Sequence, residues 1–329
     1  MLVSIVILSY NRPQQVRRIL ENFIGVHSEE FCIIIKDDVS PLIGDIRNIC
    51  SEFQDVLSIP VIFHENEKNM GYDSNLMDSF YITNTQYVYL LSDDDFIVGE
   101  QFLDVISELK KSNKAFYISS YVESGEINRV VDSKCVLLEL PTAQLIYNSI
   151  LFSGLIFDRE KVCSLNLDKR FLSSCIYTQV YLTVALNYEF SDYKYINSGA
   201  LVLGGDGENY FGKNEAAKNK SALQDRTSIL SNLRYQVFLR KVILNLSSIY
   251  SEDILESFNK EYNKRLISYA LRCKSNSKEI YREFVLLLRE FGIHYDFFTG
   301  LFLRLVKFLP QNLCRYIYKL GVKTLKNSG

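Results

Sequence analysis

The sequence predicts an α/β domain built on a mostly parallel sheet. Three observations carry this: short continuous apolar runs recur through the first third of the chain, each is closed by a polar cluster, and each is followed by apolar residues at helical spacing. Strands buried on both faces that alternate with amphipathic helices make a sheet covered by helices on each side.

Each element follows in order. "LVSIVIL" (2–8) is a β-branched run broken by "SYNRP", after which Val16, Ile19, Leu20 and Phe23 recur at i, i+3, i+4 and i+7. "FCIIIK" (31–36) is closed by Asp37, Asp38, Ser40 and Pro41, and Ile46, Ile49, Cys50 and Phe53 restore the helical period. "IPVIFH" (59–64) is a third strand, "NMG" (69–71) a turn, and Leu76, Met77 and Phe80 a short helix. "YVYLL" (87–91) is a fourth strand, followed by a helix carrying Phe102, Val105, Ile106 and Leu109. Beyond residue 225 the pattern is helical throughout. An α/β domain over 1–225 (halves 1–110 and 111–225) and a helical region over 226–329 are expected.

Composition narrows the function. With 47% hydrophobic and 23% charged residues the chain is globular. A net charge of -2 gives no general attraction to nucleic acid. Seven cysteines without a C-x-x-C pair and three scattered histidines suggest neither a zinc site nor a disulfide framework, and point to a reducing cytoplasm. No stretch reaches the ~18 apolar residues of a membrane span, and the start of the chain does not read as a signal peptide.

Open sheets of this kind bind ligands beyond the carboxyl ends of their strands. There fall Ser9 to Arg12, Asp37 and Asp38, Asn69 to Gly71, and Asp93 to Asp95. Ser, Asn and Gly at such places also serve as caps and turn formers. Three consecutive aspartates are different, because they repel one another unless a cation or donors neutralise them. Magnesium and manganese prefer carboxylate oxygens and keep positions free for phosphates, so a divalent ion on Asp93 and Asp95 would bridge a diphosphate; a solvated acidic loop is the plain alternative. The chain has no G-x-G-x-x-G after the first strand and no G-x-x-x-x-G-K-[ST], which disfavours dinucleotide and P-loop enzymes.

"VSIVILSYNRP", "IIIKDDVSP", "NEKNMGYDSNLMDSF" and "YVYLLSDDDF", in this order and spacing, resemble the nucleotide-sugar-binding half of family 2 glycosyltransferases with the GT-A fold. "FSGLIFDREKV" (152–162) resembles the start of the acceptor half. The resemblance implies that Ser9, Tyr10, Asn11 and Arg12 line the nucleoside pocket and that Asp37 accepts from the base, with Asp38 as fallback. It places Gly71 and Asn75 against the nucleotide, Asp93 toward ribose and metal, and Asp95 as the principal ligand of manganese or magnesium. Asp94 would meet the donor sugar or solvent.

One position departs from the family. Inverting members present an acid at the start of an acceptor-half helix, where this chain reads "SSCIYTQVYLTVAL" (173–186), with Thr178 and Gln179 in place of the acid. Neither can act as a base at neutral pH. Either Asp192, Asp206 or Glu208 supplies the base, or configuration is retained and none is needed. The "YTQ" pattern resembles O-antigen transferases that use deoxysugar donors, abequosyltransferase-like proteins among them.

"LVLGGDGENYFGKNEAAKNK" (201–220) reads as a glycine-rich lid or an ordinary surface loop. Residues 297–329 hold Arg304, Lys307, Arg315, Lys319, Lys323 and Lys326 and no acid, with Leu313, Ile317 and Leu320 on one helical face. Such a basic amphipathic end either lies on a membrane surface or packs with its basic side in water.

The expected activity is metal-dependent transfer of a sugar from a nucleoside diphosphate sugar to a glycan acceptor. The resemblance further implies a lipid-linked acceptor at the inner membrane face, in O-antigen or capsule synthesis. A nucleotidyltransferase, or an inactive glycan-binding module, is the alternative.

Overall fold

The structure is a computed structural model that describes residues 1–129, 141–204 and 231–327. The chain divides into two compact units, Met1–Tyr210 and Phe211–Gly329.

The first unit opens as expected. β1 (Val3–Ser9), β2 (Phe31–Asp37), β3 (Val61–Glu65) and β4 (Tyr87–Ser92) are parallel strands in spatial order β3-β2-β1-β4. They are joined by α1 (Pro13–Glu21), α2 (Ile43–Val56) and α3 (Tyr72–Ile82). β1 and β2 are buried at every residue, which is why they read as unbroken apolar runs rather than alternating ones. Val3, Ile5, Ile7, Ile33 and Ile35 face one core with Ile19, Phe23, Phe53 and Phe102. Val6, Leu8, Cys32 and Ile34 face the other, with Leu76, Phe80, Leu182 and Leu186. The strand period of two thus divides each run between the two layers.

Beyond β4 come β5 (Phe96–Ile97), α4 (Gly99–Lys111), β6 (Phe116–Glu123) and β7 (Glu126–Asn128). α5 (Pro141–Asn148), β8 (Leu155–Asp158), α6 (Arg159–Ser164), α7 (Lys169–Leu172), α8 (Thr178–Phe190) and β9 (Tyr193–Val202) complete the unit. β8 runs antiparallel between β4 and β6, and β9 is parallel to β6, so the sheet continues β4-β8-β6-β9-β5 and is mixed. α8 is buried at every residue from Thr178 to Leu186, its polar Thr178, Gln179 and Thr183 each satisfied by a hydrogen bond.

Register aligns the carboxyl edge of the sheet. Ser9 pairs with Asp37, Leu8 with Ser92, and Asp37 with Glu65, so the carboxyl ends of four strands finish level.

The described part of the second unit is helical: α9 (Ser231–Ile249), α10 (Glu252–Asn276), α11 (Lys278–Glu290), α12 (Phe297–Phe308) and α13 (Gln311–Asn327). Ser251, Ser277 and Asp296 cap α10, α11 and α12 by accepting from the Asp253, Ile280 and Thr299 backbone N–H groups. No helix among the described residues is long and apolar enough to cross a membrane.

Candidate active site

The crevice at the level strand ends is held by three linked sets of polar contacts. The first joins β1 to β4. Asp93 accepts from the Tyr10 backbone N–H at 3.1 Å and from Arg12 Nη1 at 3.0 Å, and the same guanidinium lies 3.6 Å from Asp94. Asp94 also accepts from the Ser92 hydroxyl, and its carbonyl accepts from Arg18 Nη2 at 3.0 Å. Asp95 accepts from the Gly204 N–H at 3.2 Å. Arg129, whose guanidinium donates to the Ser153 carbonyl at 2.7 Å, adds a third positive charge felt by Asp95. The repulsion within the aspartate triplet is therefore opposed by Arg12, Arg18 and Arg129.

Compensation is incomplete. Burial pushes the Asp93 carboxyl up to about 7, against the pull of Arg12. Asp95 is pushed up to about 6 by burial and by the neighbouring Asp94 charge. Carboxylates held above their ordinary range by burial gain from any further cation, and all their donors are hard oxygens, so the residues present fit a divalent ion. Among the described residues no group of three His, Cys, Asp or Glu side chains already stands assembled as a metal site.

The second set lies under β2 and α3. Lys36 is fully buried, and its Nζ donates to Asn66 Oδ1 at 2.5 Å and Asn75 Oδ1 at 2.6 Å and pairs with Asp78 at 3.0 Å. Burial holds its ammonium below the ordinary lysine range. Asn66 passes the order on, donating to Asp38 at 2.8 Å. Asp38 accepts from the Met70 and Gly71 N–H groups at 2.7 and 2.9 Å and so fixes the turn that starts α3. Gly71 sits at φ 73°, a conformation that favours glycine.

This network corrects two expectations. Asp37 does not face a base: it is fully buried, and its two oxygens accept from the Ser40 N–H and hydroxyl, each at 2.8 Å. Asp38, the fallback, is buried as well, its two oxygens accepting from Asn66, Met70 and Gly71. Asn75 does not present its side-chain carbonyl to the crevice either: it turns inward to Lys36 and Asn66.

The third set joins the two halves of the sheet. Asp73, on α3, accepts from the Ile176 N–H and the Thr178 hydroxyl, each at 2.8 Å, and from the Cys175 thiol. Burial raises its carboxyl above the usual range. Ile176 has φ 68°, a strained value for a β-branched residue, and Asp73 holds it there. Gln179 accepts from the Tyr72 hydroxyl at 3.0 Å and donates to the Ile150 carbonyl at 2.7 Å. Thr178 and Gln179 are thus committed to structural bonds. The carboxylate missing from the start of α8 arrives there from α3.

Ser9 ends β1 with its Oγ buried and unpartnered, a polar atom that a ligand or water would satisfy. Asn11 follows at φ 62°. Gly204 presses on the acidic turn so closely that a Cβ there would fall 1.7 Å from the Asp94 carbonyl oxygen.

Of the base candidates, Asp192 is removed by topology. It precedes β9, whose strand runs parallel to β6, so it lies at the amino edge away from the crevice, paired with Lys114 at 2.6 Å. Asp206, Glu208 and the remainder of the glycine-rich stretch beyond Gly204 lie outside the described residues. Sequence reasoning missed Lys36, Asp73, Arg18 and Arg129. A lysine closing an apolar strand run was a signal for the first; the others meet partners far away in the chain.

Residues 4–159, a little under half of the chain, match the family model described as Glycosyl transferase family 2. No curated protein sequence matches the chain. Among solved structures, S. aureus TarS residues 1–349 in complex with UDP-GlcNAc is similar with a TM-score of 0.59 at 13% identity, covering 88% of this chain and 80% of that one. The mannosyltransferase PcManGT from Pyrobaculum calidifontis, in complex with GDP-Man and Mn2+, gives a TM-score of 0.55 at 11% identity over 99% and 88% of the two chains. At these identities the likeness is one of fold.

Proposed function

We propose that the protein transfers a sugar from a nucleoside diphosphate sugar to a hydroxyl of a glycan acceptor. The observation that carries this reading is the meeting of Ser9–Arg12 with Asp93–Asp95 across the ends of β1 and β4, through the Tyr10–Asp93 and Arg12–Asp93 bonds. The fold likeness to proteins solved with UDP-GlcNAc and GDP-Man supports it.

In this reading the unpartnered Ser9 Oγ and the adjoining Tyr10 and Asn11 receive the nucleoside, and Asp38 with Gly71 closes the pocket from the α3 side. Arg12 and Arg18 bring positive charge to the diphosphate end, where leaving-group charge develops, so their attraction grows as the glycosidic bond breaks. A manganese or magnesium ion, held by Asp93 and Asp95, would supply further neutralisation of that charge. Gly204 brings the end of β9 over the acidic turn and narrows the path for water.

The proton end differs from the pattern of an acid on α8. Thr178 and Gln179 accept no proton from a sugar hydroxyl at neutral pH, and Asp73 brings its carboxylate to that helix start already bonded to three donors. This leaves Asp206 and Glu208 as base candidates, or a retaining reaction. It also keeps an abequosyltransferase-like deoxysugar donor within the proposal. A lipid-linked acceptor in O-antigen or capsule synthesis at the inner membrane face, reached through the helical C-terminal region, completes it.

Incubating the full chain with manganese and a panel of UDP-, GDP-, CDP- and dTDP-sugars, deoxysugars included, tests the reading through release of free nucleoside diphosphate. One nucleoside class should be turned over, and Asp95→Ala should abolish turnover. No turnover and no binding across the panel, or an unaffected Asp95→Ala, would sink it.

A further inference from the structure

The C-terminal unit carries a surface that its own packing does not explain. α12 is fixed on one side: Thr299, Leu303 and Val306 are buried, the Tyr281 hydroxyl donates to the Leu303 carbonyl, and Lys274 Nζ donates to the Lys307 carbonyl at 3.0 Å. A helix seated in this way ordinarily turns polar residues outward. α12 instead exposes Phe297, Phe298 and Phe308 at 78% each, Leu305 at 54% and Leu301 at 47%.

At 3.6 residues per turn these five side chains fall within one stripe roughly 100° wide, opposite the buried face. Single exposed apolar residues are ordinary; a contiguous stripe of five large ones marks a surface that is covered by something.

Charge says by what. After Asp296 the chain has no acidic residue and six basic ones. Arg304 and Lys307 stand exposed beside the stripe, on the helix face between it and the buried side. Arg315 and Lys319 extend the positive charge onto α13. A second copy of this chain would set one basic surface against another. An anionic lipid surface takes the aromatic stripe at the acyl boundary and the basic side chains among its headgroups, where their long stems reach upward.

We infer that α12 is an interfacial helix that seats the protein on anionic bilayers, with Phe297, Phe298, Leu301, Leu305 and Phe308 as the inserting face. This deepens the membrane contact in the proposed function and rests on that reading for its purpose, though not for its physics. It also relocates the contact. The apolar face expected from the sequence, Leu313, Ile317 and Leu320, belongs to the next helix.

Flotation of the full chain with vesicles of phosphatidylcholine, with and without phosphatidylglycerol, tests this. Wild type should float with the anionic vesicles and far less with the neutral ones. The triple variant Phe297→Ser, Phe298→Ser, Phe308→Ser should lose at least about tenfold in vesicle affinity. Arg304→Gln with Lys307→Gln should weaken binding at low salt and reduce its salt dependence. All these side chains are exposed, so thermal unfolding and nucleotide-sugar turnover in solution should stay at wild-type values. Turnover thus reports on the transferase reading separately. Undiminished flotation of the triple variant would overturn the inference. So would a wild type that ignores anionic vesicles while forming dimers that the triple variant abolishes.

Discussion

Replacing Lys36 with methionine, which keeps all but the last atom of the side chain's length and removes its charge, tests whether the buried network beneath the crevice holds the proposed donor pocket in shape. The lysine is fully buried, and Asn66 and Asn75, its neutral partners, are each 4% exposed. The substitution strips Asn66 Oδ1 of the Lys36 donor at 2.5 Å, while Asn75 Oδ1 retains the Asn66 amide at 2.8 Å. A buried acceptor left without a partner costs about 1–3 kcal/mol. Asp78, whose side chain is 30% exposed, recovers solvent and adds little. Removing the lysine's own desolvation offsets part of the loss, which leaves a net destabilisation of about 1–2 kcal/mol. For a unit of this size that lowers Tm by roughly 2–8 °C in differential scanning calorimetry. Because Asn66 orients Asp38 and Asp38 fixes the turn at Gly71, donor Kd should rise as well. A Tm within about 2 °C of wild type, with donor Kd unchanged, would refute the reasoning.

Other perturbations act on separate parts of the crevice. Gly204→Ala places a methyl where the Asp94 carbonyl stands, so the end of β9 must withdraw; a loss of about 1–3 kcal/mol in thermal unfolding is expected, together with weaker donor binding. Arg12→Ala removes the guanidinium donor of the buried Asp93, whose carboxyl then takes up a proton, and should cost about 1–3 kcal/mol in urea unfolding, whereas Arg12→Lys should recover part of it. Asp73→Ala frees the strained Ile176 backbone and leaves the Thr178 hydroxyl without its acceptor; faster amide exchange over the first turn of α8 is the expected signature.

The parallel half of the sheet was legible in the sequence because its strands are buried on both faces and its polar clusters stand where those strands end. Val3 to Leu8 needs no partner to declare itself a central strand. Which turn each aspartate of a pair stabilises is a finer matter. It depends on Ser40 folding back to satisfy Asp37, a local turn that "DDVSP" permits without demanding. Asp192 misled because "SDYKY" shows no strand direction until β9 is seen to run parallel to β6. Asp73 and Thr178 stand 105 residues apart in sequence, and nothing short of the folded chain brings them together. The exposed stripe on α12 was hidden for the opposite reason: "FFTGLFLRLVKF" is apolar enough to be buried all round, and only its packing separates the face that is covered from the face that is not.

The most direct test of the account is a crystal structure of the full chain with a nucleoside diphosphate and manganese, the nucleoside chosen from the donor panel. The account predicts the base and ribose beside Ser9 to Asn11, with the diphosphate between Arg12 and Asp93–Asp95. Nucleotide bound at the amino edge of the sheet near Asp192, or a crevice left empty at saturating ligand, would contradict it.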